Sequence, residues 1–450
     1  MGSLETGIEW GKHSFEPDGA FQNKMTESNL LGRRRRVMSP AYRHFYQEPL
    51  YLTRGEGVWL YGADGSRYLD CYNNVASVGH CHPHVVEAVT RQIATLNTHT
   101  RYLHHAIVEY AEMLTATLPG DLSVCTLVCT GTEANDLAYR MARAVTGNEG
   151  AICTTGAYHG NSTLVSELSP DFKRVRPKPD FVADARAPDE YRGPFGPDDP
   201  DRARHYAAFV DGAIEELARN GHKPAMMIID SSFDGAGIHT PPPEYQQIVH
   251  EKVRAAGGLV VCDEVQAGLT RMGDHYWGFM DSGVVPDIVT MGKPLGDGHP
   301  LAAVVTTPEI ARQFANETHY FNTFGGNPVS ATAGKAVLEV VAEEDLLANV
   351  KRSGVHFRDG LLKLAEKHAL IGDIRGKGLF MAVELVRDRA SREPATEETI
   401  RVTEWLREAG VLMSHVGEHQ NALKIRPPLV FEIEHVELAL AALDDALQKL

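Results

Sequence analysis

The chain has 450 residues, 43% hydrophobic and 23% charged, enough length and apolar content for two or three domains around a large core. Its formal net charge of −16 disfavours nucleic acid or an anionic membrane surface as a general partner, because both repel an acidic chain. No apolar run reaches the ~18 residues of a membrane helix, no basic-then-apolar leader is seen, and the cysteines lack zinc-knuckle spacing, so a cytoplasmic enzyme with reduced thiols and no metal is expected.

Residues 1–28 are polar and aperiodic and read as a flexible N-terminal arm. The run Arg33–Arg36 then reads as a solvated helix face or an intersubunit salt-bridge cluster. From 48 to 72, apolar and polar residues alternate around Asp64-Gly65, which predicts two strands joined by a turn. Pro83 starts a helix reaching about Leu96, and so breaks the shared strand face that His80, His82 and His84 would need to hold a metal. A helix over 105–117 leads to a buried strand ending at Cys129, which runs into Thr130-Gly-Thr-Glu-Ala-Asn135 and a long helix. Strand, small-residue turn and helix N-terminus make a phosphate site, with free amides and a favourable dipole, although a plain Thr N-cap reads equally well locally. The next strand, Gly150–Thr154, ends near Tyr158 and His159, where an aromatic could stack on a planar cofactor.

Residues 169–203 are rich in Pro, Asp and Arg without periodicity, and are expected to form a long functional or interface loop. Helix 205–219, strand Ala225–Asp230 and helix 243–256 follow. Leu259-Val-Val-Cys-Asp263 is then an apolar run closed by a carboxylate, as in a buried strand that delivers one charge to a site. Lys293 lies 293 − 263 = 30 residues later in a Gly/Pro-rich turn. A buried carboxylate and a desolvated lysine together suit pyridoxal 5'-phosphate (PLP) held as a Schiff base, the aspartate keeping the pyridine nitrogen protonated. The alternation of strands and helices over 75–335 predicts a large, mostly parallel α/β domain with ligands at the strands' carboxyl ends. Residues 336–450 predict a smaller α+β domain, to which residues 29–74 contribute.

The set Thr130-Gly-Thr-Glu-Ala-Asn, Ala157-Tyr-His-Gly, Asp263-Glu-Val-Gln, Gly292-Lys293 and Phe321-Asn-Thr-Phe-Gly-Gly-Asn-Pro resembles class III (ω-type) aminotransferases of PLP fold type I, over roughly residues 30 to 450. The resemblance implies a seven-stranded-type large domain sandwiched by helices. It implies that Lys293 carries the cofactor and moves protons, that Asp263 pairs with its pyridine nitrogen, and that Gln266 lies near its phenolic oxygen. Gly131 and Thr132 would bind its phosphate, Tyr158 would stack on its ring with His159 beside it, and Thr323 would reach the phosphate of the neighbouring subunit. The implied assembly is a homodimer with composite active sites, alone or paired into a tetramer.

Cys71-Tyr-Asn-Asn-Val-Ala-Ser-Val-Gly-His-Cys-His-Pro, Leu122-Ser-Val-Cys and Met291-Gly-Lys-Pro look closest to the alanine–glyoxylate aminotransferase 2-like branch, which includes ethanolamine-phosphate and phosphohydroxylysine phospho-lyases. Aminotransferases of the class carry Arg-x-x-Pro-Pro near the C-terminus, where the arginine clamps a carboxylate. Here Lys424-Ile-Arg-Pro-Pro stands there, and lysine lacks the planar fork a carboxylate prefers. Arg426 would share the face of Lys424 on a regular strand and could partly substitute for it. The family's Glu-Pro after strand 225–230 is read as Ser231-Ser232, which removes an acidic group from beside a substrate phosphate, with Asp230 and Asp234 still nearby. The expected activity is PLP-dependent elimination of phosphate from a small O-phosphorylated amine, phosphoethanolamine or phosphohydroxylysine. The alternative is amino transfer to pyruvate or glyoxylate. Lys424, Asn74 and Arg271 are the candidate substrate residues, with Arg101 and Arg33–Arg36 as further cations. A nicotinamide oxidoreductase is disfavoured, because no Gly-x-Gly-x-x-Gly follows a strand.

Overall fold

The computed structural model describes residues 27–171, 174 and 176–450. They fall into two compact units, one ending at Tyr51 and one running from Leu52 to Leu450. The arm expected over 1–28 lies outside the described residues up to position 26, and a helix already begins at Glu27. That helix, Glu27–Val37, carries Arg34, Arg35 and Arg36 in its last turn, where cations complement the helix dipole. Arg34 donates to His44 at 2.9 Å within the same unit.

In the second unit the first strands are β1 (Leu52–Glu56), β2 (Trp59–Gly62) and β3 (Arg67–Asp70), an antiparallel set. The main sheet follows: β4 (Val124–Val128), β5 (Gly150–Thr154), β6 (Val182–Ala185), β7 (Pro224–Asp230), β8 (Leu259–Asp263), β9 (Ile288–Met291) and β10 (Ala302–Thr306). Their order is β4-β10-β9-β8-β7-β5-β6. Strands β5 to β9 pair in parallel, and β10 runs antiparallel to both β4 and β9. Only β10 is reversed, so the carboxyl ends of β4, β5, β7, β8 and β9 share one rim.

The near-continuous apolar runs follow from burial on both faces. Successive side chains of a strand point to opposite faces. Met226 and Ile228 of β7 therefore pack with Leu137, Ala138 and Met141 of helix Gly131–Thr146. Met227 and Ile229 pack with Tyr206, Val210 and Val249 from helices Arg202–Arg219 and Tyr245–Ala255. Each such fully buried side chain contributes on the order of 1.5–3 kcal/mol, which fixes the strands and hence the rim.

Strand β6 corrects one expectation, since it lies inside the segment read as a loop over 169–203. Its Val182, Ala183 and Ala185 are buried and pair with β5. Asp184 breaks the apolar run in the sequence, and Arg174 at 3.1 Å and Lys178 at 3.4 Å balance its charge.

After helices Pro328–Glu343 and Leu346–Lys367 come β11 (Ile371–Lys377), β12 (Phe380–Asp388), β13 (Glu393–Pro394), β14 (Val411–Leu412), β15 (Ser414–Val416) and β16 (Ala422–Ile425). Strands β11-β12-β16-β15 form a second sheet, with β13 paired to β12. Strand β14 instead joins β3 in parallel, Val411 opposite Leu69, which ties the early segment to the C-terminal part. No helix among the described residues is long and apolar enough to cross a membrane.

Candidate active site

A cavity of about 200 Å³ opens at the shared rim, lined by Gly131, Thr132, Tyr158, His159, Gly160, Asp230, Asp263, Val265, Gln266 and Lys293. Of the residues the sequence pointed to for a cofactor, all but Thr323 meet here.

The anion-binding end is built at the start of helix Gly131–Thr146. Thr130 Oγ1 accepts from Glu133 N at 3.1 Å, while Glu133 Oε2 accepts from Thr130 N at 3.0 Å and Cys129 N at 2.7 Å. This capping box satisfies the outer donors. Thr130 therefore caps the helix, and Gly131 and Thr132 of its first turn line the cavity, at the kind of helix N-terminus that favours an anion. Space is shaped for close approach of a ligand to backbone. A Cβ at Gly131 would meet Val265 Cγ2 at 2.9 Å, and one at Gly292 would meet Gly131 N at 3.3 Å. Gly160, at φ +143°, would place a Cβ 2.5 Å from Thr132 Oγ1.

The opposite end is organised by Asp263, 4% exposed at the end of β8. Its Oδ2 accepts from His159 Nδ1 at 2.8 Å and Asn135 Nδ2 at 2.9 Å, and its Oδ1 accepts from Val265 N at 3.0 Å. These bonds fix the carboxylate in place and aim it. His159 thus orients Asp263, and its own Nε2 is buried with no partner. Asn135, which also donates to His159 O at 2.7 Å, was not singled out from the sequence. Its signal was its place in Thr130-Gly-Thr-Glu-Ala-Asn, one helical turn after Gly131.

Lys293 follows β9 at the same rim. Burial, and then the charge of Arg426, push its amine below the ordinary lysine range, while Asp263, Asp234 and Asp230 pull the other way. Desolvation and a neighbouring cation are the two ways a lysine becomes a nucleophile and base near neutral pH. A half-buried, desolvated lysine, a fixed carboxylate, a small-residue phosphate cradle and flanking Val265 and Tyr158 fit PLP.

The substrate side corrects several expectations. Lys424 is no free clamp: its Nζ lies 2.6 Å from Asp234 Oδ1 and 2.7 Å from Oδ2, and both residues are buried. Burial and then Arg426 push its ammonium down to about 8, with Asp234 opposing. Asp234 stays ionised despite its burial, held down by Lys424 and Arg426. Arg271 is a structural residue outside the cavity lining: fully buried, it donates through Nη1 to Leu379 O at 3.1 Å and Pro427 O at 2.7 Å. Asn74 does reach the site, donating to Gln266 Oε1 at 2.7 Å. Gln266 donates in turn to Asp234 Oδ2 at 2.8 Å.

The site has also not lost its carboxylate. Asp230 lines the cavity beside Asp263, its register partner. Burial, and then Asp234 and Asp263, push it up to about 6. Ser231 instead turns away to donate to Glu264, which also accepts from Gly278 N at 2.7 Å and Phe279 N at 2.8 Å. Thr323 does not line the cavity of its own chain and stands exposed between Phe321 and Phe324.

The family model described as aminotransferase class-III matches residues 41–447. An alanine–glyoxylate aminotransferase 2-like protein of Drosophila melanogaster is 41% identical over 424 residues, covering 92% of this chain and 86% of that protein. The ethanolamine-phosphate phospho-lyase homolog 1 of Caenorhabditis elegans is 37% identical over 463 residues, 99% of each chain. Among solved structures, a phospholyase from Arthrobacter in complex with phosphoethanolamine superposes with a TM-score of 0.91 at 43% identity, over 94% of this chain and all of that one.

Proposed function

Because the chain belongs to the class III aminotransferases, a PLP-dependent family of fold type I, we propose that it is a phospho-lyase acting on a small O-phosphorylated amine, most simply phosphoethanolamine. The observation that carries this reading is the buried Lys424–Asp234 pair at 2.6 Å. It fills the position of the carboxylate clamp with a side chain already committed to another partner. An elimination needs no second, keto-acid substrate, so it loses nothing by lacking that clamp.

When bound, PLP supplies an electron sink for the carbon next to the substrate nitrogen. The Gly131 and Thr132 amides would hold the cofactor phosphate, and Asp263 would keep a proton on the pyridine nitrogen. The amine of Lys293 takes the proton from that carbon, a step its depressed basicity favours near neutral pH. The neighbouring carbon then releases its oxygen with the bonding electrons, as inorganic phosphate. Overall, phosphoethanolamine and one water give acetaldehyde, ammonia and phosphate, which balances without an oxidant.

Incubation with phosphoethanolamine and no keto acid is expected to release phosphate and acetaldehyde over many turnovers. No release above a Lys293→Ala control counts against this substrate. Turnover only with pyruvate or glyoxylate present moves the assignment to amino transfer, the reading that the Drosophila relative's name favours. A lyase selective for phosphohydroxylysine shows itself with that substrate in the same assay. The buried thiols of Cys71, Cys153 and Cys262 support a reducing compartment such as the cytoplasm.

We also propose a homodimer with composite sites. Leu103 (100% exposed), Phe324 (71%), Tyr102 (64%) and Phe321 (42%) present apolar surface around Thr323. His99 joins them, its ring 5.0 Å from Tyr102 and 5.8 Å from Phe321. A patch of this kind marks an interface. Mixing Lys293→Ala with Thr323→Glu subunits, each nearly inactive alone, is expected to restore activity, since one site per mixed dimer regains both residues. Absence of recovery in verified mixed dimers sinks the composite site.

A further inference from the structure

The cations first considered for the substrate's anionic group are mostly engaged elsewhere. Lys424 is neutralised by Asp234, and Arg271 is sealed from the cavity. Arg101 lies with its guanidinium 3.8 Å from the centre of the Phe321 ring, in the exposed patch. Arg426 differs from all three. It directly follows β16 and is 6% exposed. Its backbone is pinned by a 2.8 Å bond from its N–H to Cys71 O, and its guanidinium stacks 4.3 Å from the centre of the Tyr72 ring. Nη1 donates to Oε1 of Gln266, a cavity-lining residue. Its charge is felt at both Lys293 and Asp234.

The remaining edge of the group, Nε and Nη2, makes no hydrogen bond among the described residues, and Nε is buried. That edge is the planar two-donor face that matches two oxygens of a phosphate. A buried cation with an unused pair of donors is costly until an anion meets it. The neighbouring guanidinium of Arg271, whose Nε and Nη2 are also unpartnered, makes the spot more positive still.

The geometry points to Arg426 as the specificity-determining residue of this site: its Nε/Nη2 edge receives the phosphate of the substrate, while Lys424 serves to balance Asp234. This rests on the phosphorylated-amine reading above. It goes beyond that reading by placing recognition two residues from the clamp position and on a residue that Tyr72 and Gln266 already hold in place.

The test is equilibrium binding to the PLP-loaded enzyme, followed by its visible absorbance, for phosphoethanolamine, for alanine and for propylamine, which carries no anionic group. Arg426→Gln is expected to weaken phosphoethanolamine by about 30-fold, the loss of a charge-assisted bidentate contact, and to weaken propylamine far less. Inorganic phosphate is expected to compete with phosphoethanolamine in the wild type and not in the variant. Arg426→Lys, which keeps the charge but loses the planar edge, is expected to fall between, and it decides the matter if the Gln variant does not fold. Equal weakening of phosphoethanolamine and propylamine reduces Arg426 to a structural part and overturns the proposal, as does unchanged phosphoethanolamine affinity. Selective loss of alanine alone overturns it in favour of carboxylate recognition. If the wild type binds phosphoethanolamine through Arg426 yet releases no phosphate, the phospho-lyase reading fails and this assignment stands.

Discussion

Lys293→Ala is expected to lower turnover by about 10⁴-fold or more, since the residue is asked both to carry the cofactor covalently and to move the proton. The structure gives the reason the effect should be so large. Lys293 is the only lysine among the residues lining the cavity, and Lys424, a buried amine nearby, is held 2.6 Å from Asp234. No second amine can take over. The sign of the pH dependence follows from the same surroundings. Burial and Arg426 lower the basicity of the amine, so its neutral fraction grows as pH rises toward that lowered pKa, at lower pH than for an ordinary lysine. Single-turnover phosphate release in the wild type should therefore rise with pH along a limb that Lys293→Ala lacks. Added ethylamine should restore part of the lost rate in the variant. Retention of more than about a tenth of wild-type turnover without added amine would remove Lys293 from the role.

Asp263→Asn is expected to reduce kcat by roughly 10²- to 10⁴-fold at saturating PLP, with a smaller effect on KM. Two physical effects add. The substitution removes the charge that keeps the pyridine nitrogen protonated, so the electron sink weakens. It also puts an amide where Oδ2 accepts from both His159 at 2.8 Å and Asn135 at 2.9 Å. Whichever way the amide is turned, its NH2 faces a donor in a buried place, His159 and Asn135 on one side or Val265 N on the other, at a cost of about 1–3 kcal/mol. Weaker PLP retention should accompany the kcat loss, read by absorbance after dialysis. An unchanged kcat with cofactor saturating would mean that Asp263 only supports the fold. His159→Asn separates the two effects, because it disturbs the aim of Asp263 while leaving its charge.

Much of this site could be read along the chain, for a definite reason. Asp263, Lys293, Gly131 and Tyr158 sit at or just after strand ends, and a strand buried on both faces announces itself as an apolar run with an abrupt stop. What stayed hidden depends on meetings between distant segments. The partner of Lys424 lies 190 residues away, and nothing near Asp234 signals a buried pair. Arg271, a candidate cation in the sequence, is turned by the fold to donate through Nη1 to two backbone carbonyls. Asp230 reads along the chain only as a carboxylate near Ser231-Ser232, whereas the register of β7 with β8 sets it opposite Asp263. Strand β6 was missed because Asp184 interrupts a segment of only four residues.

The three sheets divide this site unequally. Asp263 and Lys293 stand on the rim of the seven-stranded sheet, whereas Asn74 arrives from the segment after β3, Lys424 from β16 and Arg426 from just beyond it. The two groups touch through Gln266, whose oxygen accepts from Asn74 and Arg426 while its nitrogen donates to Asp234, and through Asp234 itself, which Lys424 holds. On the proposed roles, bond breaking and the choice of substrate therefore rest on separate pieces of chain. On that division, substitutions at 426 are expected to change which amine is bound while Asp263 and Lys293 stay as they are.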